Sequence, residues 1–463
     1  MILIPNDFLD NKQIEFLIDE LTCRIPIYGK PGEWREVIFY RKLEEGYRVP
    51  RFFAKKYFLK YQDFFNKQKE DYQKINSECV FTQQMLNTPM KPQVEAVEKT
   101  LEQLFKILGA ILVGPPGVGK TNMALYIACK LGLNCIILAH NDVLISQWTQ
   151  RIKSCITGPV KIGLIQQDIC EYENCDFIIC SMKSIHCRQY PKEALKCGLV
   201  IVDEAHHVAA TSYSDAVDKI DYFYSMGLTA TPKRGDRLEY ISEWLLGPQS
   251  FQIILPLDSK VQVNMITYSM GSQKEIKYKN GTLGLSTMVS SLTKDIIRNR
   301  LLLDVIKLLH KKFPTRKGLL LSARVDHLKQ LYRDLDSSMC AIISGQIHTE
   351  MTNKERAASK RRREEVKFDK FLTLSTYDMF AEAVDFDGDF VIFATPKVHV
   401  EQPAGRIMRG KDLNYTPVIF DIVDPFSSFE TWKWARYSFY KKRGYEIINL
   451  NERQIFAEAK KIQ

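Results

Sequence analysis

Eight consecutive residues, Gly114-Pro115-Pro116-Gly117-Val118-Gly119-Lys120-Thr121, constrain this chain more than any others. They follow an apolar run, Ala110 to Val113, and open a helix-like run from Asn122 to Leu131. Strand, glycine loop and helix are the context in which the spacing G-x-x-x-x-G-K-[ST] becomes a phosphate-binding loop. The glycines let backbone N–H groups close round an anion where side chains would block them. The helix N-terminus adds partial positive charge. Lys120 can reach the outer phosphates of a nucleotide, and the Thr121 hydroxyl can ligate Mg²⁺. An ordinary glycine-rich turn is the competing reading, and the complete spacing weighs against it.

A second element lies downstream, Leu199-Val200-Ile201-Val202-Asp203-Glu204-Ala205-His206. Four apolar residues bury a strand, and two carboxylates emerge at its end. One carboxylate can hold Mg²⁺ while the other orients and deprotonates a water. An Asp-Glu pair after a strand is common by chance, but following a P-loop it is the expected other half of a nucleoside-triphosphatase site. Further on, Thr229-Ala230-Thr231-Pro232 ends another apolar strand and places two hydroxyls beside the carboxylates. Upstream of the P-loop, Lys91-Pro92-Gln93 precedes a helical pattern. An amide at Gln93 can read the adenine edge, although a lone glutamine before a helix is more often a surface residue.

The surrounding pattern is α/β. Apolar runs at 134–139, 160–165, 176–180, 199–203 and 226–229 alternate with helical stretches, which predicts a parallel sheet covered on both faces. From residue 300 a second such pattern predicts strands at 318–322, 339–343, 371–376, 390–394 and 417–421. This half has neither a P-loop nor an Asp-Glu pair. It carries instead Gln402-Pro403-Ala404-Gly405-Arg406-Ile407-Met408-Arg409. On a helix Arg406 and Arg409 share a face, and two guanidiniums there suit the phosphates of a nucleotide held by another domain, although two arginines alone read better as a solvated basic face. Residues 250–300 read as a connecting region, with 261–268 alternating like a strand. The expected organisation is an N-terminal accessory segment over 1–80, a first α/β domain over 81–250, and a connecting region with a second α/β domain over 251–463.

The formal net charge of +10 favours a polyanionic partner, weakly. Tyr47 to Phe58 and Phe429 to Tyr445 interleave basic and aromatic residues, a composition suited either to gripping nucleic acid or to a small aromatic core with solvated lysines. The charged run Lys354 to Lys370 suits a nucleic-acid contact or a solvated helix and loop, and a solvated face is the commoner case. The 11 cysteines read as reduced thiols of an intracellular, cytoplasm-like compartment. Cys170, Cys175, Cys180, Cys187 and Cys197 contain no C-x-x-C pair, so they are not read as a metal centre. Neither a membrane span nor a secretory signal is expected.

Taken together these blocks resemble the superfamily 2 helicases, in their DEAH-box-like form, over about residues 85–425. The resemblance implies two RecA-like parallel-sheet domains with ATP in the cleft between them. It implies that Gln93 recognises adenine, that Gly114 to Thr121 bind the phosphates, and that Thr121 and Asp203 hold Mg²⁺. Glu204 then activates water; His206, Thr229 and Thr231 couple hydrolysis to movement. Gln402 also contacts the nucleotide, and Arg406 and Arg409 act as arginine fingers.

Gly227 to Pro232 followed by Leu245-Leu246-Gly247-Pro248 resembles the DNA-translocase branch, which includes the transcription-factor-IIH and phage recombination helicases. The C-terminal blocks Phe420 to Asp424 and Tyr440 to Tyr445 resemble helicases of large cytoplasmic DNA viruses, similar to the poxvirus transcript-release helicase. One departure is Glu382-Ala383-Val384-Asp385, where the family often has glycine second. The expected activity is an ATP-dependent DNA helicase or translocase serving transcription, replication or recombination and acting as a monomer. An RNA helicase, a duplex remodelling factor that leaves strands paired, and a P-loop switch or transport ATPase are the alternatives.

Overall fold

The computed structural model describes the chain except residues 27–33, 59–68, 89–90, 116, 210, 231–238, 255–260, 272–273, 279–280, 337, 344–369, 378–379, 381–387, 407–415 and 462–463. The chain divides into two units, Met1–Leu255 and Pro256–Gln463.

The first unit is built on an eight-stranded sheet. Its order is Ile169–Cys170, Ile162–Gln166, Phe177–Ser181, Cys135–Ala139, Lys196–Val202, Asp221–Thr229, Gly109–Val113 and Gln249–Gln252. All neighbours are parallel except the first pair. Gly109–Val113, Cys135–Ala139 and Phe177–Ser181 are buried at every position, as strands covered on both faces must be. Alternation divides them between two cores. Ile111, Val113, Ile136, Leu138, Val200 and Val202 face one, while Ala110, Leu112, Ile137, Leu199 and Ile201 face the other. Each fully buried aliphatic side chain contributes roughly 1.5–3 kcal/mol.

The N-terminal segment shares the first of these cores. Ile4, Leu17, Phe53 and Phe58 pack into it together with Trp244 and Leu245. Helix Arg51–Tyr57 supplies the central contacts: Phe53 is 0% exposed and its ring centroid lies 4.8 Å from that of Trp244. Arg51 is buried too, donating to the Phe223 carbonyl at 2.8 Å with its guanidinium over the Tyr222 ring. The Phe52 ring fills the space beside Gly109, where a Cβ would lie 2.0 Å from Phe52 Cζ. The aromatics of 47–58 thus serve as core at these positions.

The second unit holds a seven-stranded, wholly parallel sheet. Its order is Cys340–Ile343, Leu372–Thr376, Gly318–Ser322, Phe390–Phe393, Val418–Val423, Gln262–Thr267 and Glu446–Asn451. Gln262–Thr267, from the stretch read as a connecting region, is an inner strand. Val263 and Met265 face one core and Ile266 the other. Asn264 is buried within it and accepts from Gln262 Nε2, so a polar residue gave the strand a half-exposed look in the sequence.

At the carboxyl edge of this sheet Arg298 and Asp424 form a fully buried bidentate pair, with both bonds at 2.8 Å. In helix Ser428–Lys442, Phe429, Arg436 and Tyr440 are buried, and Arg436 pairs with Asp421 at 2.7 Å, whereas Trp434 is exposed. Most of the charged run 354–370 and the segment Glu382 to Asp385 lie outside the described residues.

Candidate nucleotide-binding and hydrolysis site

The P-loop leaves the carboxyl end of Gly109–Val113 and enters helix Lys120–Leu131. Two glycines make the turn: φ is +88° at Gly117 and +89° at Gly119, the left-handed region that side chains disfavour. Gly119 caps the helix, and a Cβ on it would lie 2.3 Å from Gln93 Nε2. Lys120 folds over the loop, its Nζ donating to the Gly114 carbonyl at 2.6 Å and to that of Pro115 at 3.3 Å. Thr121 sits in the first turn of the helix. Pro116 lies outside the described residues.

Gln93 begins helix Gln93–Ile107 and is buried. Its Nε2 donates to the Val118 carbonyl at 2.7 Å, and its Oε1 accepts the Leu86 N–H at 3.0 Å. The amide therefore braces the P-loop itself. The Leu245 to Pro248 block braces the strand behind it. The Pro248 carbonyl accepts the Ile111 N–H at 3.0 Å, and Gly247, at φ +108°, lies where a Cβ would come within 2.4 Å of the Gly109 backbone.

Asp203 and Glu204 occupy the turn after Lys196–Val202, two strands from the P-loop strand. Glu204 adopts φ +48°, a strained value for a residue with a side chain, costing roughly 1–3 kcal/mol, and such strain gathers at functional sites. Asp203 is held at both oxygens. Oδ1 accepts the Glu204 N–H at 3.0 Å and Oδ2 accepts the Trp148 indole N–H at 2.9 Å. His206 Nδ1 lies 3.1 Å from Thr229 Oγ1 and 3.4 Å from Glu204 Oε2. The His207 ring lies tilted at 41° against that of His206, with centroids 4.1 Å apart, and approaches His140 at 5.3 Å. Burial pushes the His140 pKa down, which keeps that ring neutral near pH 7.

The fold thus gathers Gln93, the described P-loop residues, Asp203, Glu204, His206 and Thr229 in the first unit. Thr231 and Arg409 lie outside the described residues. Gln402 and Arg406 belong to helix Glu401–Arg406 of the second unit, and only their backbone is described. Sequence reading missed the part Trp148 plays; it stands 55 residues from Asp203 and carries no motif signal. The oxygens of Thr121 and Asp203 suit a hard divalent cation such as Mg²⁺. Among the described residues no cluster of three or more His, Cys, Asp or Glu is arranged to hold a metal, and none of the helices is long and apolar enough to cross a membrane.

The family described as Type III restriction enzyme, res subunit, matches residues 86–234. The chain is 31% identical over 404 residues to "Putative ATP-dependent RNA helicase L396" of Acanthamoeba polyphaga mimivirus, covering 84% of this chain and 75% of that protein. It is 27% identical over 346 residues to "Putative helicase 161L" of Invertebrate iridescent virus 6, covering 72% and 76%. Among solved structures, S. cerevisiae Dbp5 bound to RNA and ADP BeF3 aligns with a TM-score of 0.50 at 14% identity, over 80% of this chain and 96% of that one. That likeness concerns the fold, two RecA-like domains. P-loop, DEAH turn, sheet order and relatives agree: the chain belongs to the superfamily 2 helicases, enzymes that use ATP to act on nucleic acid.

Proposed function

We propose that the chain hydrolyses ATP with Mg²⁺ and converts the cycle into movement along DNA or separation of its strands. Lys120 and the loop N–H groups bind the phosphates. Thr121 and Asp203 would hold Mg²⁺, which when bound neutralises charge on the phosphate oxygens. Glu204 accepts the proton of the attacking water, and His206 orients that carboxylate. Arg406 and Arg409 stabilise charge on the transferred phosphoryl group, and Gln93 and Gln402 contact the nucleotide; Gln93 has a second N–H and a second lone pair with which to read adenine. Thr229 and Thr231 pass the state of the site to the nucleic-acid grip.

The observation that supports this most is the run of close contacts from Gly114 through Thr229 and His206 to Glu204. The Gly227 to Pro232 and Leu245 to Pro248 blocks favour DNA as the polymer. The printed name of the mimivirus relative, an RNA helicase, favours the second reading, RNA. Strand displacement on matched DNA and RNA duplexes, run beside triplex displacement, tests the proposal. ATP-dependent release of a DNA strand supports it. Release confined to RNA establishes the second reading, triplex displacement alone establishes a duplex translocase, and no displacement of any kind overturns strand separation and movement together.

A further inference from the structure

We propose that Trp148 is a positioning residue for the cation-binding carboxylate of Asp203. The inference rests on the assignment of Asp203 as a Mg²⁺ ligand. Trp148 is 1% exposed, and its indole N–H finds its acceptor in Asp203 Oδ2 at 2.9 Å. A buried indole N–H requires such a partner. The other oxygen, Oδ1, accepts the Glu204 N–H at 3.0 Å. With both oxygens held, the carboxylate has one rotational setting, and a lone pair on each oxygen remains for a cation.

The donor is itself fixed. Trp148 lies on helix Asp142–Cys155 and packs in the same core as Ile145 and Ile152, three and four residues away. These share its helix face. The helix is in turn anchored where it leaves the sheet, with Asn141 Oδ1 accepting the Leu144 N–H at 2.8 Å. The ring therefore cannot leave Asp203 without unpacking the helix. Outer-shell donors of this kind orient ligating carboxylates, and losing one typically weakens metal binding by about 10–100-fold. An aromatic side chain needed only for packing would not have this effect.

The test uses the full chain with Glu204→Gln, so that turnover does not intervene. Binding of a fluorescent ATP analogue is titrated with Mg²⁺ with and without Trp148→Phe, which keeps the aromatic bulk and loses the N–H. The expected result is a rise of about tenfold or more in half-saturating Mg²⁺, with nucleotide affinity in EDTA unchanged. Benzothienylalanine at 148, which places sulfur where the N–H stood and preserves the ring shape, should reproduce the shift even if Trp148→Phe folds poorly. Unchanged half-saturation in the benzothienylalanine protein overturns the role of Trp148. Asp203→Asn separates the two levels: if it too leaves half-saturation unchanged, the ligand assignment fails, and if it alone shifts the titration, only the inference about Trp148 fails.

Discussion

Thr229 and His206 are joined side chain to side chain, with Thr229 Oγ1 3.1 Å from His206 Nδ1. The same threonine accepts the Gly114 N–H on its backbone carbonyl at 2.9 Å. One residue thus touches the P-loop through its main chain and the DEAH turn through its hydroxyl.

Thr229→Val keeps the shape of this position and the Gly114 bond but removes the hydroxyl. Thr229 is 3% exposed, so the lost hydrogen bond should cost about 1 kcal/mol of stability. ATP hydrolysis without polymer should stay within about threefold of wild type, while strand displacement per ATP falls by an order of magnitude or more. Parallel ATPase and displacement assays check this; equal losses in both would remove Thr229 from coupling.

Glu204→Gln keeps the size and hydrogen-bonding capacity of the side chain and loses the base. General-base catalysis typically contributes about 10²–10⁴ in rate, so kcat should fall by that factor while ATP binding is retained. Single-turnover hydrolysis with equilibrium nucleotide binding makes the measurement. Near wild-type turnover would exclude Glu204 as the base.

Phe53→Ala should act through packing. The side chain is wholly buried against Trp244, and truncating such a phenylalanine costs about 3–5 kcal/mol. Denaturant unfolding should show that loss, with DNA affinity of the folded protein unaltered. Weaker DNA binding at unchanged stability would restore a gripping role to this ring.

How far these features could be read in advance varied with the kind of signal. The strand Gly318–Ser322 was read at its observed bounds because Gly-Leu-Leu-Leu-Ser is apolar and bounded by turns. In Asp221–Thr229 the apolar signal begins only at Met226, because Tyr222, Tyr224 and Ser225 carry hydroxyls that mask a strand buried on both faces. Arg51 sits in a stretch whose composition suits a nucleic-acid grip and an aromatic core equally well, and only the fold shows its charge spent on the Phe223 carbonyl. The P-loop and DEAH turn were legible because their chemistry fixes residue type and spacing locally. The Trp148–Asp203 bond was not, because only the parallel packing of two distant segments creates it.

His327 gives the second unit a pH dependence. It is 2% exposed and bonded on both nitrogens. The Asn299 amide N–H₂ donates to Thr293, so Asn299 Oδ1 accepts from His327 Nε2; Ser322 Oγ, already accepting the Arg324 N–H, donates to His327 Nδ1. The neutral ring is fully satisfied, and burial with the nearby Arg298 charge lowers its pKa to about 3. The unfolded state therefore binds more protons between that value and the ordinary histidine pKa near 6.5, and stability falls as pH drops through this window, by up to ~1.4 kcal/mol per pH unit. Unfolding of wild type and His327→Gln from pH 7.5 to 4.5 should show a shallower slope in the variant. Equal slopes would assign the acid sensitivity elsewhere.

The central claim is that ATP hydrolysis at this site is governed by a nucleic-acid strand. The most direct measurement is the steady-state ATPase rate with Mg²⁺ in the presence of single-stranded DNA, duplex DNA, RNA or no polymer, at low and physiological salt. The account predicts a low rate without polymer and stimulation of at least about tenfold by DNA. That stimulation should weaken as salt rises, because phosphate contacts release counterions, and it should be absent in Glu204→Gln. A rate indifferent to all three polymers at low salt would contradict it.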